Sequence, residues 1–320
     1  MRLIAKLIRY IFFVVLLASA NCFGQSDISM STEWYNRGTF NPASIARTEY
    51  MYLFTNGRHQ WNGVSGAPKV YTLQASTYFN QLNSAFGISL VSDNVGISNA
   101  VNPMLNYAYR ISDNENWQMS FGLAAGVFSR TIDRSLYDPE NTSDPVLLDE
   151  PDNILKPDAN AGVEFQNKFL IAGISSTHLF SMFKKDSMYL NSNHRYGYLI
   201  YKNTGSELFN FYTGVQVTNR NSLTYYDINA SIRLKHPTGL SKGPREIIDF
   251  GVTYRTTKQI TLLIGVNLSE NLRVGYAYDQ SFITGYSQNG TNELMLEYRI
   301  PLKSASTCIT CRDENNGWYR

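Results

Sequence analysis

Histidines are the first residues to consider for chemistry, because imidazole binds metals and transfers protons near neutral pH. The four of them are scattered along the chain: His59, His178, His194 and His236. No H-E-x-x-H or other metal-ligand spacing joins any two, and no G-x-S-x-G segment supplies a serine nucleophile. The sequence therefore favours histidines in loops or at a membrane interface over a metal site, and it predicts no enzyme and no cofactor.

A second group that could bind a metal is the acidic segment 132–157. Its carboxylates are Asp133, Asp138, Glu140, Asp144, Asp149, Glu150 and Asp152. Calcium favours clustered carboxylates, but the D-x-D-x-D-G order of an EF-hand loop is missing. A solvated surface loop is the first interpretation of this segment, and a surface that faces a partner is the second.

The first 24 residues have the pattern of a secretory signal peptide. Its positive start contains Arg2, Lys6 and Arg9. The apolar run that follows, 10–20, is too short to span a bilayer. Lipidation at Cys22 is a weaker alternative, because Asn21 is a poor residue before a lipidated cysteine. We therefore expect an exported protein.

Cleavage of this leader would leave two thiols, Cys308 and Cys311, in the spacing C-x-x-C. A zinc site would need two further ligands, and none is nearby. A thioredoxin-like role would need a helix start in a β-α-β unit, which the sequence does not predict. We expect a short disulfide within the tail, since export leads to an oxidising compartment. The alternative is that the pair, together with Trp318, docks a periplasmic partner.

Composition narrows the class of protein further. Of the 320 residues, 43% are hydrophobic, 13% are aromatic and 17% are charged, with a formal net charge of +2. This apolar content excludes a disordered chain, and the lack of a basic block disfavours a nucleic-acid partner. No apolar run reaches the roughly 20 residues that a transmembrane helix needs, so a helical membrane protein is excluded.

The elements that must position any site are read from alternating polarity. Four segments alternate strictly, with Ile, Leu, Val and Tyr on one face and mainly Gly, Ser, Thr, Asp, Asn and Arg on the other: 226–235, 247–255, 259–268 and 271–279. Leu263 is the one apolar exception on the polar face of its segment. Such alternation predicts half-buried strands. Lengths of about ten residues with aromatics near the ends are typical of transmembrane β-strands. The alternative is a secreted, soluble β-protein with aromatic-rich edges.

The whole chain predicts an all-β outer-membrane β-barrel of about fourteen antiparallel strands. The predicted strands are 50–58, 69–79, 84–93, 98–110, 116–131, 158–165, 168–177, 194–203, 207–218, 222–235, 245–256, 259–268, 271–281 and 290–300. An even number places both termini in the periplasm and the long connections outside, with 236–244 as the exception. The predicted organisation is signal peptide 1–24, N-terminal segment 25–49, barrel 50–301 and periplasmic C-terminal tail 302–320.

Two further segments have two interpretations each. Asn41-Pro42-Ala43 either enters or plugs the lumen, or forms a plain turn before the first strand. The cluster of Arg58, Gln60-Trp61 and Gly66-Ala67-Pro68 is either a folded hairpin or a membrane-belt aromatic followed by turn residues. Positions that face the lumen are expected to be mostly Gly, Ser, Thr and Asn, with scattered charge.

These motifs, taken in order, resemble a known family. The residues that carry the resemblance are Asn41, Pro42, Ala43, Arg58, Gln60, Trp61, Gly66, Pro68, Gly275, Tyr276, Tyr278, Asp279, Gly290, Thr291 and Glu293. The order and spacing are similar to those of the PorP/SprF outer-membrane proteins of the Bacteroidetes type IX secretion system. Asn292 departs from the histidine that the family commonly has between Thr and Glu.

The resemblance implies a non-enzymatic partner in secretion. Family members deliver or hold large adhesins at the cell surface, some of them used in gliding motility, or connect the barrel to periplasmic parts of the secretion machinery. The expected partners are therefore a secreted surface adhesin or other cargo, components of that machinery, and the lipid bilayer. The alternative function is an outer-membrane solute channel or porin, because fourteen strands are wide enough to enclose a lumen.

Overall fold

The computed structural model describes residues 30–46, 50–113, 117–133, 153–183, 192–220, 223–236, 246–282 and 290–301. The predicted signal peptide, most of the acidic segment, and the tail with Cys308, Cys311 and Trp318 lie outside the described residues. In the part of the chain that is described, no helix is long and apolar enough to cross a membrane.

Fourteen strands form one closed antiparallel barrel, as predicted. The strands are β1 Tyr50–His59, β2 Lys69–Phe79, β3 Ser84–Val95, β4 Ser98–Asp113, β5 Trp117–Ile132, β6 Asn153–Asn167, β7 Leu170–Thr177, β8 His194–Asn203, β9 Phe209–Arg220, β10 Leu223–Lys235, β11 Glu246–Arg255, β12 Gln259–Asn267, β13 Leu272–Ser281 and β14 Thr291–Pro301. Each strand pairs with its sequence neighbours, and β1 pairs with β14 to close the sheet. The largest difference from the prediction is β6, which begins at Asn153 because residues 153–157 pair with the extended end of β5.

Among the described residues, the remaining regular elements are short 3₁₀ helices. They are Ser31–Trp34, Arg37–Thr39, Pro42–Ile45, Asn80–Leu82 and Leu179–Phe183. The first three precede β1 and lie inside the barrel. The fourth joins β2 to β3, and the fifth follows β7.

The two faces of the barrel differ in the way that a membrane requires. Large apolar side chains on the strands point outward and are exposed: Leu73, Ile88, Leu105, Leu123, Leu155, Ile174, Leu199, Ile228, Val252, Leu262 and Leu294. Polar residues of the same strands point inward and are buried. A soluble barrel would have the opposite arrangement, and so much exposed apolar surface would aggregate in water. A closed sheet leaves no unpaired strand edge in lipid, and the structure therefore supports the transmembrane interpretation over the soluble one.

The two mouths of the barrel are distinguished by their connections. We call the end at which β1 joins β2 the loop mouth, because it carries the longest connections, around 133–152 and 178–193. We call the end at which β2 joins β3 the turn mouth; there, two residues, 168–169, join β6 to β7. The start of β1 and the end of β14 both lie at the turn mouth.

The outward face gives a first prediction. Ile264 lies in the middle of β12 and is 36% exposed on the apolar face. We expect Ile264→Arg to reduce the free energy of unfolding in lipid by about 2–4 kcal/mol, the cost of a cation near the bilayer midplane. Urea titration of the barrel in vesicles measures this loss, with Ile264→Leu as the matched control. An arginine tolerated as well as leucine would contradict the assigned lipid face.

A plugged lumen as the candidate functional site

The N-terminal segment Met30–Ala46 fills the lumen of the barrel. We call this segment the plug; all of its residues are buried except Thr39, which is half-buried. Two asparagines shape it locally, because the Asn36 side chain accepts a hydrogen bond from Gly38 N at 2.9 Å and the Asn41 side chain accepts one from Ala43 N at 3.0 Å. Both are N-caps of 3₁₀ turns, and Pro42 at the first helical position suits the second. The plug interpretation of Asn41-Pro42-Ala43 is thereby confirmed.

A buried ion cluster holds the first residues of the plug to the barrel wall. The Arg58 guanidinium in β1 donates to Asp279 in β13 at 2.7 Å and also to Glu293 in β14. Ser31 N donates to Glu293 Oε1 at 2.7 Å, and Ser31 Oγ donates to Asp279 Oδ1 at 2.6 Å. Thr32 N completes the cluster through Glu293 Oε2 at 3.1 Å. One plug turn thus bridges the seam where β1 meets β14.

Three motif residues that are far apart in the sequence meet in this cluster. Arg58, Asp279 and Glu293 are each at most 5% exposed. A buried charge is stable only when it is paired and hydrogen-bonded, so each of the three depends on the others. The sequence grouped Arg58 with the Gln60–Pro68 cluster, whereas the structure places its guanidinium in the lumen.

A second polar chain holds the middle of the plug. Arg37 Nε donates to Glu164 Oε2 at 2.7 Å, with both side chains at most 3% exposed. The Tyr198 hydroxyl donates to the same carboxylate at 2.5 Å and accepts a hydrogen bond from Asn41 Nδ2 at 2.8 Å. Glu33, one turn earlier, accepts from Gln216 at 2.7 Å. Charge-assisted hydrogen bonds of this kind fix orientation as well as position.

Aromatic side chains fill the space between these polar contacts. Trp34 and Phe40 of the plug pack against inward-facing wall residues: Ile171, Tyr196, Tyr198, Ile200 and Tyr212. Tyr35 packs on the other side against Phe54, Leu263, Ala277 and Met295. An eight-stranded barrel is filled by its own wall side chains, but a wider one is not. Here the plug supplies the missing packing.

Wall glycines let the plug backbone approach closely. A Cβ at Gly122 would lie 2.1 Å from Ala43 N and 2.3 Å from Pro42 C, and one at Gly162 would lie 2.1 Å from Asn41 Oδ1. A Cβ at Gly122 would therefore clash with the plug backbone, so glycine is required there, whereas a Cβ at Gly162 would have to displace the Asn41 side chain.

This close approach gives a second prediction. We expect Gly122→Ala to displace the plug and lower the free energy of unfolding by about 1–3 kcal/mol, as overpacking does in a filled core. Samples are heated at a series of temperatures and run on cold gels, and the temperature at which the folded band disappears measures the loss of stability. Gly197→Ala is the matched control, because a Cβ there meets no atom within 4 Å. Equal stability of the two variants would show that Ala43 is not seated on β5.

Further ion pairs line the wall, so the charge that was expected to be scattered among small polar residues is largely paired. They are Arg255 with Asp227 at 2.7 Å, Arg273 with Asp249 at 2.5 Å and Arg233 with Glu246 at 3.2 Å. The Arg273 guanidinium also lies 4.3 Å from the centre of the Tyr35 ring, a cation–π contact with the plug. Inward-facing charges were visible in the alternation, but the partner of each depends on barrel register.

His178 begins the β7–β8 connection, as the loop interpretation predicts, whereas His194 is the first residue of β8 and is buried, so that interpretation is wrong for His194. His178 and His194 face the lumen near the loop mouth, with ring centres 5.6 Å apart, and His178 Nδ1 lies 2.6 Å from Asp158 Oδ2. Together with Glu33 and Phe40 of the plug, they line a cavity of about 90 Å³. Among the described residues, no group of three or more His, Cys, Asp or Glu side chains is arranged to hold a metal ion.

The remaining motif residues build a folded hairpin at the loop mouth. Gln60 N donates to Pro68 O at 3.0 Å, and Gly66, at φ +70°, accepts from Gly96 N at 3.0 Å. Trp61 N donates to Thr291 Oγ1 at 3.4 Å. Two further contacts of motif residues join β13 to the start of β14. Gly290 lies against the Tyr278 ring, and the Tyr276 hydroxyl donates a hydrogen bond to Asn292 Oδ1. The folded-hairpin interpretation is therefore confirmed for Gln60, Trp61, Gly66 and Pro68, and it is wrong for Arg58, which faces the lumen.

One motif residue remains to be described, Gly275, which lies on the inner face of β13. A Cβ there would meet the Met295 side chain at 2.4 Å. Met295 belongs to the group that packs against Tyr35 of the plug. Gly275 therefore makes room for a wall side chain that supports the plug.

A closed barrel with an apolar outer face and a polar lumen that its own N-terminal segment fills is a plugged outer-membrane β-barrel. The chain belongs to the PorP/SprF family: the family model described as type IX secretion system membrane protein PorP/SprF matches residues 23–298. Among curated proteins, none matches the chain significantly in sequence.

Several solved outer-membrane barrels are distantly similar in structure. Omp33 of Acinetobacter baumannii has 7% identity and a TM-score of 0.45, over 78% of this chain and 98% of that one. The toluene transporter TbuX of Ralstonia pickettii has 10% identity and a TM-score of 0.49, over 81% and 92%. The CymD monoaromatic hydrocarbon channel has 11% identity and a TM-score of 0.47, over 87% and 95%. Likenesses this distant say nothing about function.

Proposed function

We propose that this protein is a non-enzymatic component of the type IX secretion system, needed for the secretion or surface attachment of large cargo proteins such as gliding adhesins. Membership of the PorP/SprF family supports a place in that system. Within it, the proposed role is to offer a rigid surface to cargo and to periplasmic or outer-membrane components, while neither solute nor protein passes through the lumen.

The observation that carries this proposal is the plug. Its side chains Trp34, Tyr35 and Phe40 are 3–4% exposed at mid-depth, and the buried ion pair of Arg37 with Glu164 ties it to the wall. A solute pathway needs an open lumen or a plug that can leave. Leaving would break the Arg37–Glu164 ion pair and the hydrogen bonds from Ser31 and Thr32 to Glu293, and it would expose the packed side chains of Trp34, Tyr35 and Phe40 to water. A closed lumen leaves the mouths of the barrel as the surfaces that can act.

The solute channel is the second candidate, and the cavity beside His178 and His194 is the feature that favours it. This cavity lies at one mouth, and the plug residues Met30, Glu33, Thr39 and Phe40 form part of its lining. It would become part of a pathway only if the plug moved.

Surface proteomics in a strain that lacks this protein distinguishes the two functions. We expect one or a few large secreted proteins to disappear from the cell surface and to return when the gene is restored. A strain that keeps its full set of surface proteins but loses uptake of a small solute would contradict the proposed function and support the channel.

A further inference from the structure

The first described residues of the plug lie at the loop mouth. Ser31 contacts Asp279 and Glu293, at 2.6 and 2.7 Å. Asp279 precedes the last residue of β13, Ser281, by two positions, and Glu293 follows the first residue of β14, Thr291, by two. At roughly 3.3 Å per strand residue, Ser31 is therefore within about 7 Å of the strand ends that form the loop mouth.

The last residues of the plug lie at the turn mouth. Ile45 and Ala46 pack against Tyr78, the penultimate residue of β2, and Ala85, the second residue of β3. The carbonyl of Ala46 also accepts a hydrogen bond from Arg110 near the end of β4. The plug therefore crosses the lumen from one mouth to the other before the chain enters β1.

The middle of the lumen leaves little room for the chain to return. Trp34 contacts the β9 wall so closely that a Cβ at Gly214 would lie 3.0 Å from its ring. Phe40 lies 4.7 Å from the Tyr196 ring, centre to centre, and Tyr35 lies under the Arg273 guanidinium. A second passage beside the plug would have to displace these contacts.

We infer that the mature N-terminus is presented at the loop mouth, opposite to the mouth at which β14 ends. An even-stranded barrel brings the start of β1 and the end of β14 to the same mouth, which is why the sequence predicted both termini on one side. The threaded plug separates them. A peptide end at the loop mouth would stand beside the long connections, so that a partner that binds this mouth meets the loops and the N-terminal segment together.

Amine labelling on intact cells tests this placement. Lys258, in the β11–β12 connection, marks the loop mouth, and Lys168, in the β6–β7 turn, marks the turn mouth; both are exposed. Ser26→Lys adds an amine ahead of the plug. Cells are treated with a membrane-impermeant amine reagent, and the labelled fraction of each lysine is measured by mass spectrometry relative to permeabilised cells.

We expect the amine introduced by Ser26→Lys to be labelled to the same fraction as Lys258. Lys168 should be protected in intact cells where Lys258 is labelled, and labelled where Lys258 is protected. The comparison is valid for either orientation of the barrel in the membrane, so it also stands if the proposed secretion role fails. Labelling that follows Lys168, or labelling from neither side, would overturn the inference. If Ser26→Lys does not assemble, Gln25→Lys provides the same comparison.

Discussion

Arg58→Ala is expected to lower the free energy of unfolding by about 3–5 kcal/mol, because it leaves two buried carboxylates without their cation. Asp279 and Glu293 are 3% and 1% exposed, so water cannot replace the guanidinium. The loss should also loosen the plug, since Ser31 and Thr32 hydrogen-bond to the same carboxylates. Urea titration in lipid vesicles measures the change.

A charge-balanced variant separates the ion cluster from general packing. Arg58→Met combined with Asp279→Asn and Glu293→Gln removes all three charges while keeping similar side-chain sizes. The variant leaves no buried charge unpaired, but the Gln amide can accept only one of the two hydrogen bonds from Ser31 N and Thr32 N, so we expect it to recover part of the lost stability. If it is as unstable as Arg58→Ala, the cluster contributes through shape alone, and the electrostatic explanation is wrong.

Deletion of residues 30–46 is expected to convert a closed barrel into a conducting one. The described lumen is filled at mid-depth by plug side chains, and a wall of fourteen strands encloses an aqueous space once they are gone. Single-protein recordings in planar bilayers should show discrete conductance steps for the deletion variant and none for the intact chain.

A milder variant covers the case in which the deletion prevents assembly. Trp34→Ala with Phe40→Ala keeps the polar anchors of the plug but removes its two largest contacts with β7, β8 and β9. It should give smaller or flickering steps, whereas Leu199→Ala on the lipid face should give none. Conductance of the intact chain equal to that of the deletion variant would show that the plug does not close the lumen.

The barrel itself was predictable because strand periodicity is local. Every second residue of a strand faces one side, so short segments such as 259–268 reveal both the strand and its two faces. Strand number followed from counting such segments. The start of β6 was placed too late because its first residues are positioned by pairing with β5, a contact that local periodicity does not contain.

The plug was predictable only as one of two interpretations, because its 3₁₀ turns have no long period. One signal was nevertheless present: Leu263 is apolar on the polar face of its strand. An apolar residue stands at this position because Leu263 packs against Tyr35 of the plug in the lumen. Inward-facing Phe54 and Met295 belong to the same group. Apolar exceptions on a lumen face are therefore a sequence sign of a filled barrel.

The ion clusters could not have been predicted as clusters. Arg58, Asp279 and Glu293 were singled out as motif residues, but their meeting depends on the closure of β1 onto β14 and on the register Arg58↔Glu293. Glu164, Tyr198 and Gly122 were not singled out at all. Each lies on the inner face of its strand, but what distinguishes it is contact with the plug.

The most direct test of the central proposal, a closed barrel that acts through partners, is co-purification from outer membranes in mild detergent with quantitative mass spectrometry. We expect large surface proteins or type IX secretion components to be enriched with this barrel relative to an unrelated barrel of similar abundance from the same membranes. Recovery of the barrel alone, in repeated preparations that keep other membrane complexes intact, would contradict the proposal.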